Sequence, residues 1–151
     1  MKILFRLTWW KESNSLRRAF KSPEMLSLFE EYRSRVQPFA SCEPAGRPAV
    51  WKPEASRCVW MCDRGRGARS LDSEALAAAL DKLLSSGVRE WNLLIGGADG
   101  FSETDDRFWR PDFKWSFGPL TLPHELASVV AAEQIYRAWT ILKGMPYHGG
   151  H

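Results

Sequence analysis

Along the chain, short apolar runs alternate with longer amphipathic stretches in which hydrophobic and polar residues are mixed. The apolar opening MKILFRLTW predicts a strand. The next stretch, SPEMLSLFEEYRSRV, predicts a helix, because Ser22 suits an N-cap, Pro23 suits the first helical position and apolar residues recur at helical spacing. Four prolines from Pro38 to Pro53 then predict an irregular connection. The first third of the chain is therefore expected to form a strand, a helix and a loop.

Strands and helices alternate in the rest of the chain. CVWMC, EWNLLI and KWSF predict short strands, Ser70 to Ser86 predicts a helix stopped by Gly87, and TDDRFWRPDF predicts a short helix. This alternation is typical of an α/β fold with a mostly parallel sheet flanked by helices. Ligands of such sheets bind beyond the carboxyl ends of the strands. We therefore expect the loops after Cys62, Ile95 and Phe117 to share a site.

The last predicted helix, PHELASVVAAEQIYRAWTILK, has apolar residues on all its sides. Leu126 and Val130 fall on one side at helical spacing, and Trp139 falls on the other. Such a helix needs cover all round, so we expect a homodimer in which a second subunit covers one side; a central helix wrapped by its own chain is the alternative. Glu133 and Arg137, four residues apart on the first side, are expected to pair.

The stretch LLIGGADG places Gly96 and Gly97 directly after a predicted strand. It is not a phosphate-binding or dinucleotide-binding loop, because neither G-x-x-x-x-G-K-[ST] nor G-x-G-x-x-G occurs. A tight turn is the ordinary interpretation of two such glycines, and a ligand lying close to the backbone is the alternative. The position at the carboxyl end of a buried strand favours the ligand.

A second unusual loop, FGPLTLPHE, leads into the last helix. Pro123 suits the first helical position, which would make Leu122 the cap residue. Leucine has no side-chain oxygen to accept hydrogen bonds from the first N–H groups of the helix. Those N–H groups ordinarily donate to water. The more specific hypothesis is that they donate to a polar group of a bound ligand.

Length and composition narrow the class of protein. The 151 residues are 44% hydrophobic and fit one domain spanning residues 1–151. No apolar run approaches the roughly 18 residues of a membrane span, so we expect no membrane contact and a cytoplasmic location. Cys42, Cys58 and Cys62 fit reduced thiols. The three histidines offer no metal-ligand spacing with these cysteines, so no metal is expected.

Charge is distributed unevenly along the chain. Lys and Arg number 14 against 7 Asp and Glu over residues 1–70, and 7 against 11 over residues 71–151. The front half thus carries +7 and the back half −4. A basic face for a polyanion explains this distribution, and a basic helix that is simply solvated explains it equally well.

The C-terminal sequence GMPYHGGH places Tyr147 and His148 after the last helix. A frayed polar tail is the ordinary interpretation of such an ending. Alternatively, the two side chains fold over a site, where a hydroxyl and an imidazole are suited to positioning a substrate or transferring a proton.

Three motifs in this order, LLIGGADG, LTLPHELASVVAAEQIYRAW and GMPYH, resemble the ribosomal RNA large subunit methyltransferase H family. CVWMCDRGRG is similar to the strand and loop that precede the middle helix of that family. The members are SPOUT-class enzymes that transfer a methyl group from S-adenosylmethionine to N3 of a pseudouridine in large-subunit (23S) ribosomal RNA. The resemblance therefore implies a methyltransferase with an RNA substrate.

The same resemblance implies a SPOUT-type α/β knot, with a deep trefoil knot in the C-terminal third and a homodimer whose seam includes the last helix. For a direct methyl transfer of this kind, we expect His148, or a water that it positions, to take the proton and Tyr147 to hold the base. Ribosomal RNA or the ribosome would be the partner. The residues implied to hold S-adenosylmethionine, with no metal, are Cys62, Gly96, Phe117, Gly118, Pro119, Leu120, Thr121 and Leu122.

Two departures from the family leave alternatives open. A proline-rich segment, QPFASCEPAGRPAVWKP, stands where members usually have another strand and a helix with several basic residues. The ending HGGH lacks the basic residue that commonly follows the Tyr-His pair. One alternative is a protein that binds S-adenosylmethionine and has lost catalysis. Another is a methyltransferase with a different RNA substrate, such as tRNA.

Overall fold

The computed structural model describes residues 1–65 and 67–147. In that part of the chain the strands are β1 (Lys2–Leu7), β2 (Ser41–Ala45), β3 (Arg57–Cys62), β4 (Arg69–Ser70), β5 (Glu90–Ile95) and β6 (Phe113–Ser116). The helices are α1 (Pro23–Val36), α2 (Ser73–Ser85), α3 (Glu103–Trp109) and α4 (His124–Leu142), with a 3-10 turn at Leu16–Ala19. The strands form one parallel sheet in the order β2-β1-β5-β3-β6-β4. The predicted parallel α/β architecture is confirmed.

The proline-rich connection contains a strand that the sequence analysis missed. β2 pairs in parallel with β1, and its Cys42 and Ala45 are buried. Pro44 is compatible with β2 because this strand lies at the edge of the sheet, where the missing N–H leaves no neighbouring strand unpaired. The prediction of an irregular segment from residue 38 to residue 53 is therefore wrong for Ser41–Ala45. Tertiary packing against β1 outweighed the local effect of the prolines.

Alternate residues of the central strands face opposite layers of helix. Trp91 and Leu93 of β5 pack into the large core beneath α1, α2 and α4. Leu94, between Leu93 and the end of the strand, faces the other side and packs with Trp109 of α3 and with Trp51. This division follows from the two-residue period of a strand, which sends successive side chains to opposite faces. Both faces of the sheet are covered, as expected for a parallel sheet.

Helix α4 packs between α1 and α2 on the larger layer. All 19 residues of α4 are at least partly buried, which agrees with its lack of a polar face in sequence. Ile135 and Trp139 are fully covered by the protein's own chain, whereas Val130, Glu133 and Arg137 on the outer side are half-buried. The protein's own chain therefore covers the apolar residues on the inner side of α4. On the outer side a stripe of residues is only partly covered.

Strand β6 lies between two strands that are close neighbours in sequence. β3 and β4 are joined by residues 63–68, and β6 pairs with both: Cys62 lies opposite Trp115, and Arg69 also lies opposite Trp115. The described residues of this connection, 63–65 and 67–68, therefore lie near the carboxyl end of β6. The backbone N–H of Asp63 donates a hydrogen bond to the carbonyl of Trp115 at 3.0 Å, which holds the two segments together at this crossing.

Candidate active site

The carboxyl ends of β3, β5 and β6 open into a cleft of about 260 Å³. Its walls are the loops that follow Cys62, Ile95 and Ser116, together with the first turn of α4. The predicted meeting of three loops is confirmed. The lining residues are Cys62, Asp63, Arg64, Ile95, Gly96, Gly97, Ala98, Asp99, Gly100, Phe101, Trp115, Phe117, Gly118, Leu120, Thr121, Leu122, His124 and Ala127.

The loop after β5 turns sharply within LLIGGADG. The N–H of Gly100 donates to the carbonyl of Gly97 at 3.0 Å, and Gly100 has φ +71°, which favours glycine. A Cβ on Gly96 would lie 3.1 Å from Cε2 of Phe101 and 3.2 Å from both Cα and the carbonyl carbon of Gly100. The sequence alone favoured a ligand lying close to this backbone as the reason for the glycine. In the structure, the closest atoms belong to the same loop.

The loop after β6 is held by two polar contacts. The Oγ of Ser116 accepts a hydrogen bond from the N–H of Gly118 at 3.1 Å, and φ of Gly118 is +110°. From the opposite wall of the cleft, the guanidinium of Arg64 donates to the carbonyl of Pro119 at 2.6 Å. This bond links the loop after β3 to the loop after β6. Leu120, which follows Pro119, is 73% exposed, so its apolar side chain is left open at the cleft.

Helix α4 begins at the cleft without a side-chain cap. Pro123 is the N-cap residue, with φ −56° and ψ 146°, and His124 is the first helical residue. The prediction of Leu122 as cap is therefore wrong by one residue, because Pro123 adopts an extended ψ that keeps it outside the helix. The expected consequence holds: neither residue offers an oxygen to the first N–H groups, which point to the cleft end of the helix.

Charged and aromatic groups surround this helix end. The imidazole of His124 packs edge-on against the indole of Trp9, with ring centroids 4.5 Å apart. Asp63 and Asp99 bring two carboxylates to the cleft lining, and Arg64 brings one cation. The carboxylate of Asp63 also accepts a hydrogen bond from the N–H of Arg64 at 2.8 Å. The cleft is thus walled by backbone and apolar groups with a few charges, which suits a ligand carrying both positive and negative groups.

The thiol of Cys62 is not a reactive nucleophile. Burial raises its pKa well above the usual range, and the neighbouring carboxylate of Asp63 raises the pKa further. The thiolate is the nucleophilic form of cysteine, so a thiol that stays protonated is chemically inert. Cys62 therefore contributes shape and backbone to the cleft, and not covalent chemistry.

The predicted catalytic residue Tyr147 lies away from the cleft of its own chain. Its hydroxyl donates to Oε2 of Glu133 at 3.1 Å, and its ring packs 4.8 Å from that of Tyr136. Burial raises the pKa of Tyr147 well above its usual range, and the carboxylate of Glu133 and a hydrogen bond with Tyr32 add to this effect. Tyr147 is therefore a neutral hydroxyl docked on the outer side of α4. His148, its predicted partner, lies outside the described residues.

The outer side of α4 also carries the predicted ion pair. Arg137 and Glu133 approach to 3.1 Å, one helical turn apart, which confirms the expected i, i+4 pairing. Because Glu133 also accepts from Tyr147, a single carboxylate joins the helix to the chain that follows it. This network includes none of the residues that line the cleft.

The structure brings together seven of the eight residues that the resemblance assigned to the cofactor. They line the cleft, whereas Pro119 does not and takes part only through its carbonyl bond to Arg64. Sequence reasoning did not assign the acid and cation of the first loop, Asp63 and Arg64, or His124 at the start of α4. Their signal was their position: Asp63 and Arg64 follow the strand that ends at Cys62, and His124 lies within the FGPLTLPHE loop itself.

A comparison with protein families decides the relationship. A family model described as "Predicted SPOUT methyltransferase" matches residues 46–148. The chain belongs to the SPOUT methyltransferase family. Every residue that lines the cleft falls between Cys62 and Ala127, inside the matched range. The SPOUT assignment therefore covers the whole of the candidate site.

Curated relatives of this SPOUT chain share one name, ribosomal RNA large subunit methyltransferase H. The protein of Acidithiobacillus ferrooxidans is 38% identical, over 93% of this chain and 89% of the relative. Those of Magnetococcus marinus and Sorangium cellulosum are 36% and 37% identical, over 80% and 84% of this chain and 87% and 91% of the relatives. The similarity extends over most of both chains and is not confined to the cleft.

Residues 1–65 and 67–147 contain neither a membrane-spanning helix nor a cluster of metal ligands. No helix in these residues has the length and apolar character to cross a membrane. In the same part of the chain, no three side chains of His, Cys, Asp or Glu converge as they would around a metal ion. The cysteines Cys42, Cys58 and Cys62 are free thiols, as the sequence predicted.

Proposed function

We propose that this SPOUT methyltransferase uses S-adenosylmethionine to methylate N3 of a pseudouridine in large-subunit (23S) ribosomal RNA. The name shared by its relatives supports the RNA substrate. The observation that carries the cofactor assignment is the cleft itself, in which seven of the eight expected residues meet at the carboxyl ends of three parallel strands. An enzyme with this substrate works where ribosomes are, in the cytoplasm.

The residues of the cleft fit S-adenosylmethionine chemically. The uncapped first turn of α4 presents N–H groups suited to a carboxylate, and the carboxylates of Asp63 and Asp99 suit positively charged groups. The backbone of Gly96, Cys62 and the loop 117–122 would enclose the rest of the molecule. When bound, S-adenosylmethionine supplies an electrophilic methyl group on a positively charged sulfur.

The protein's own tasks are to orient the pseudouridine ring and to receive its N3 proton. In the overall reaction the N3–methyl bond forms, the sulfur–methyl bond breaks and the imide proton leaves. We assign the proton to His148, or to a water that it positions, and the holding of the base to Tyr147. Tyr147 suits that role because a phenol hydroxyl donates a hydrogen bond at neutral pH. Single-turnover rates of His148→Ala that match the wild type across pH would contradict the assignment to His148.

We further propose that the working enzyme is a homodimer whose seam includes the outer side of α4. Val130, Glu133 and Arg137 form a half-buried stripe there. Tyr147 docks beside this stripe and not at its own cleft, so a second subunit packed on α4 would receive the tail that Tyr147 begins. Each site would then combine the cleft of one subunit with the tail of the other.

A mixing experiment tests the shared site. One variant carries Thr121→Trp, which fills the cleft, and the other carries Tyr147→Ala; each alone is expected to be nearly inactive. If sites are shared, unfolding and refolding an equal mixture restores about a quarter of wild-type activity, because half of the dimers are mixed and each has one intact site. No recovery, with mixed dimers shown by mass spectrometry, would contradict the shared site.

The substrate is tested in cells with and without the protein. Nucleosides from purified 23S rRNA and tRNA are measured by mass spectrometry. Loss of N3-methylpseudouridine from 23S rRNA on deletion is the expected result. A change confined to tRNA would point to another RNA substrate, and no change in any RNA would point to a protein that binds S-adenosylmethionine without catalysis.

A further inference from the structure

The segment between β1 and α1, residues 8–22, lies against residues that line the cleft. Both the N–H and the hydroxyl of Thr8 donate to the carbonyl of Ile95, at 3.2 and 2.8 Å, so the segment starts beside the end of β5. The indole of Trp9 then packs against His124, which lines the cleft. Residues 8–22 are therefore adjacent to the place where the methyl group is transferred under the proposed function.

Hydrogen bonds fix this segment to the body of the protein. The carboxylate of Glu125, in the first turn of α4, accepts from the backbone N–H groups of Lys21 and Ser22 at 3.1 and 3.0 Å. Within the segment, the indole of Trp9 donates to the carbonyl of Ala19 at 2.8 Å. The segment is tied at both ends, so it presents its side chains in a defined place.

Four cations project from this segment, and we call them the rim cations: Lys11, Arg17, Arg18 and Lys21. All four are exposed, and none forms an ion pair with another described residue. By contrast, Arg33, Arg47 and Arg57 elsewhere in the front half are paired with carboxylates. The carboxylate of Glu12, which lies in the same segment, accepts a hydrogen bond from the backbone N–H of Gly46 at 2.8 Å. Four exposed cations without an ion pair among the described residues thus lie on one short segment next to the cleft, whereas Lys2 and Lys52, which also form none, lie on other segments.

We propose that the rim cations bind the phosphate backbone of the substrate RNA next to the nucleotide that enters the cleft. The proposal rests on the proposed function for the identity of the RNA. Phosphate contacts supply affinity and orientation without reading sequence, and exposed Lys and Arg side chains are the groups that make them. Their position on a fixed segment beside the cleft matches what an enzyme needs to hold a long polyanion while one nucleotide reacts.

A charge-matched pair of variants tests this surface. The rim variant carries Lys11→Gln, Arg17→Gln, Arg18→Gln and Lys21→Gln. The control variant carries Lys2→Gln, Lys52→Gln, Lys82→Gln and Arg89→Gln, four exposed cations outside residues 8–22: Lys82 lies in α2, and the others lie in or before β1, β3 and β5. Both variants lose four charges, so an effect of net charge alone is equal in the two. Circular dichroism and calorimetric titration with S-adenosylmethionine check that each variant is folded and keeps its cleft.

The measurement is the affinity for labelled, transcribed 23S rRNA by filter binding at several potassium chloride concentrations. If each rim cation contacts one phosphate, the slope of log affinity against log salt becomes shallower by about 2.8 in the rim variant. Between 50 and 200 mM salt, the wild type would then lose about 50-fold more affinity than the rim variant. The control variant should keep the wild-type slope.

Several results would overturn the inference. These are equal slopes in the rim and control variants, an unchanged slope in the rim variant, and no measurable binding of 23S rRNA by the wild type. If the quadruple variant is unfolded, the pairs Lys11→Gln with Lys21→Gln and Arg17→Gln with Arg18→Gln replace it, each with an expected change of about 1.4 in slope. Methylation of ribosomes from a deletion strain is measured in a separate assay. If the wild-type enzyme does not methylate these ribosomes, the proposed function is contradicted. The salt dependence of RNA binding tests only the role of the rim cations.

Discussion

Replacing Gly96 with alanine adds one methyl group at the most crowded point of the cleft loop. The new Cβ would lie 3.1 Å from Cε2 of Phe101 and 3.2 Å from two backbone carbons of Gly100. Ordinary contacts of a Cβ begin at 3.4 Å, so these neighbours must move by a few tenths of an ångström. The ring of Phe101 can turn away, but the backbone of Gly100 is held by its hydrogen bond to Gly97.

The magnitude follows from this crowding. Overpacking a tight site costs about 1–3 kcal/mol, and the reduced entropy of an unfolded chain with alanine returns about 0.4–1 kcal/mol. We therefore expect Gly96→Ala to lower the free energy of unfolding by about 1–2 kcal/mol without any ligand. For a chain of this size, each kcal/mol corresponds to a fall in Tm of roughly 2–4 °C.

Gly97→Ala is the matched control for this change. A Cβ on Gly97 would meet Cβ of Trp9 at 3.4 Å, an ordinary contact, and Gly97 is not among the glycines with positive φ. Urea unfolding of both variants without cofactor measures the effect on the protein alone, and calorimetric titration with S-adenosylmethionine measures the effect on the cleft. Gly96→Ala should lose stability and affinity together, and Gly97→Ala should keep its stability.

Two outcomes would refute this reasoning in different ways. If both variants unfold at the same urea concentration as the wild type, the crowding within the loop does not constrain residue 96. If Gly96→Ala keeps its stability and loses only cofactor affinity, the methyl group collides with the ligand and not with Gly100 and Phe101.

The remaining predictions concern a loop contact, a thiol and the dimer seam. Arg64→Ala removes the 2.6 Å bond to Pro119 and should weaken S-adenosylmethionine binding by roughly 2- to 10-fold in calorimetry; unchanged affinity would exclude a role for the bond. Burial raises the pKa of Cys42 to about 12, so its thiol stabilises the fold below pH 9, and this stability is lost as pH rises from 9 toward 12. Over that window the unfolding free energy of the wild type should fall with rising pH by about 1.4 kcal/mol per pH unit more than that of Cys42→Ala. Equal pH dependence of the two proteins in urea titrations would contradict this. Val130→Asp puts a charge on the outer side of α4 and should yield a folded monomer in light scattering, whereas Val50→Asp, at a 69% exposed position, should remain a dimer.

Local sequence patterns predicted those helices and strands that depend mainly on their own residues. α1 begins where its capping residue was expected, since the side chain of Ser22 accepts from the N–H of Met25. α2 lies within the predicted range and is capped by Asp72, whose side chain accepts from the N–H of Ala75. The cleft was predictable because the carboxyl ends of parallel strands must meet at one edge. β2 was not, because its formation depends on the exposed edge of β1 and not on its own proline-containing sequence.

The location of Tyr147 also depended on contacts that no local pattern contains. Its hydroxyl is bound by Glu133, 14 residues earlier in the chain, and its ring is held by Tyr136. The spacing of Glu133 and Arg137 predicted their ion pair, but a third partner joining that pair leaves no signal in helical periodicity. Long-range side-chain contacts of this kind decide where the C-terminal segment packs.

The position of β6 between β3 and β4 has a consequence for the order in which the protein is made. Residues 63–68 leave the ribosome early, but the strand that they pass, Phe113–Ser116, and the loop beyond it are synthesised some 50 residues later. The walls of the cleft are therefore complete only once the chain has been synthesised through the first turn of α4. A ligand bound there stabilises this late-forming region selectively, because it binds only the finished arrangement.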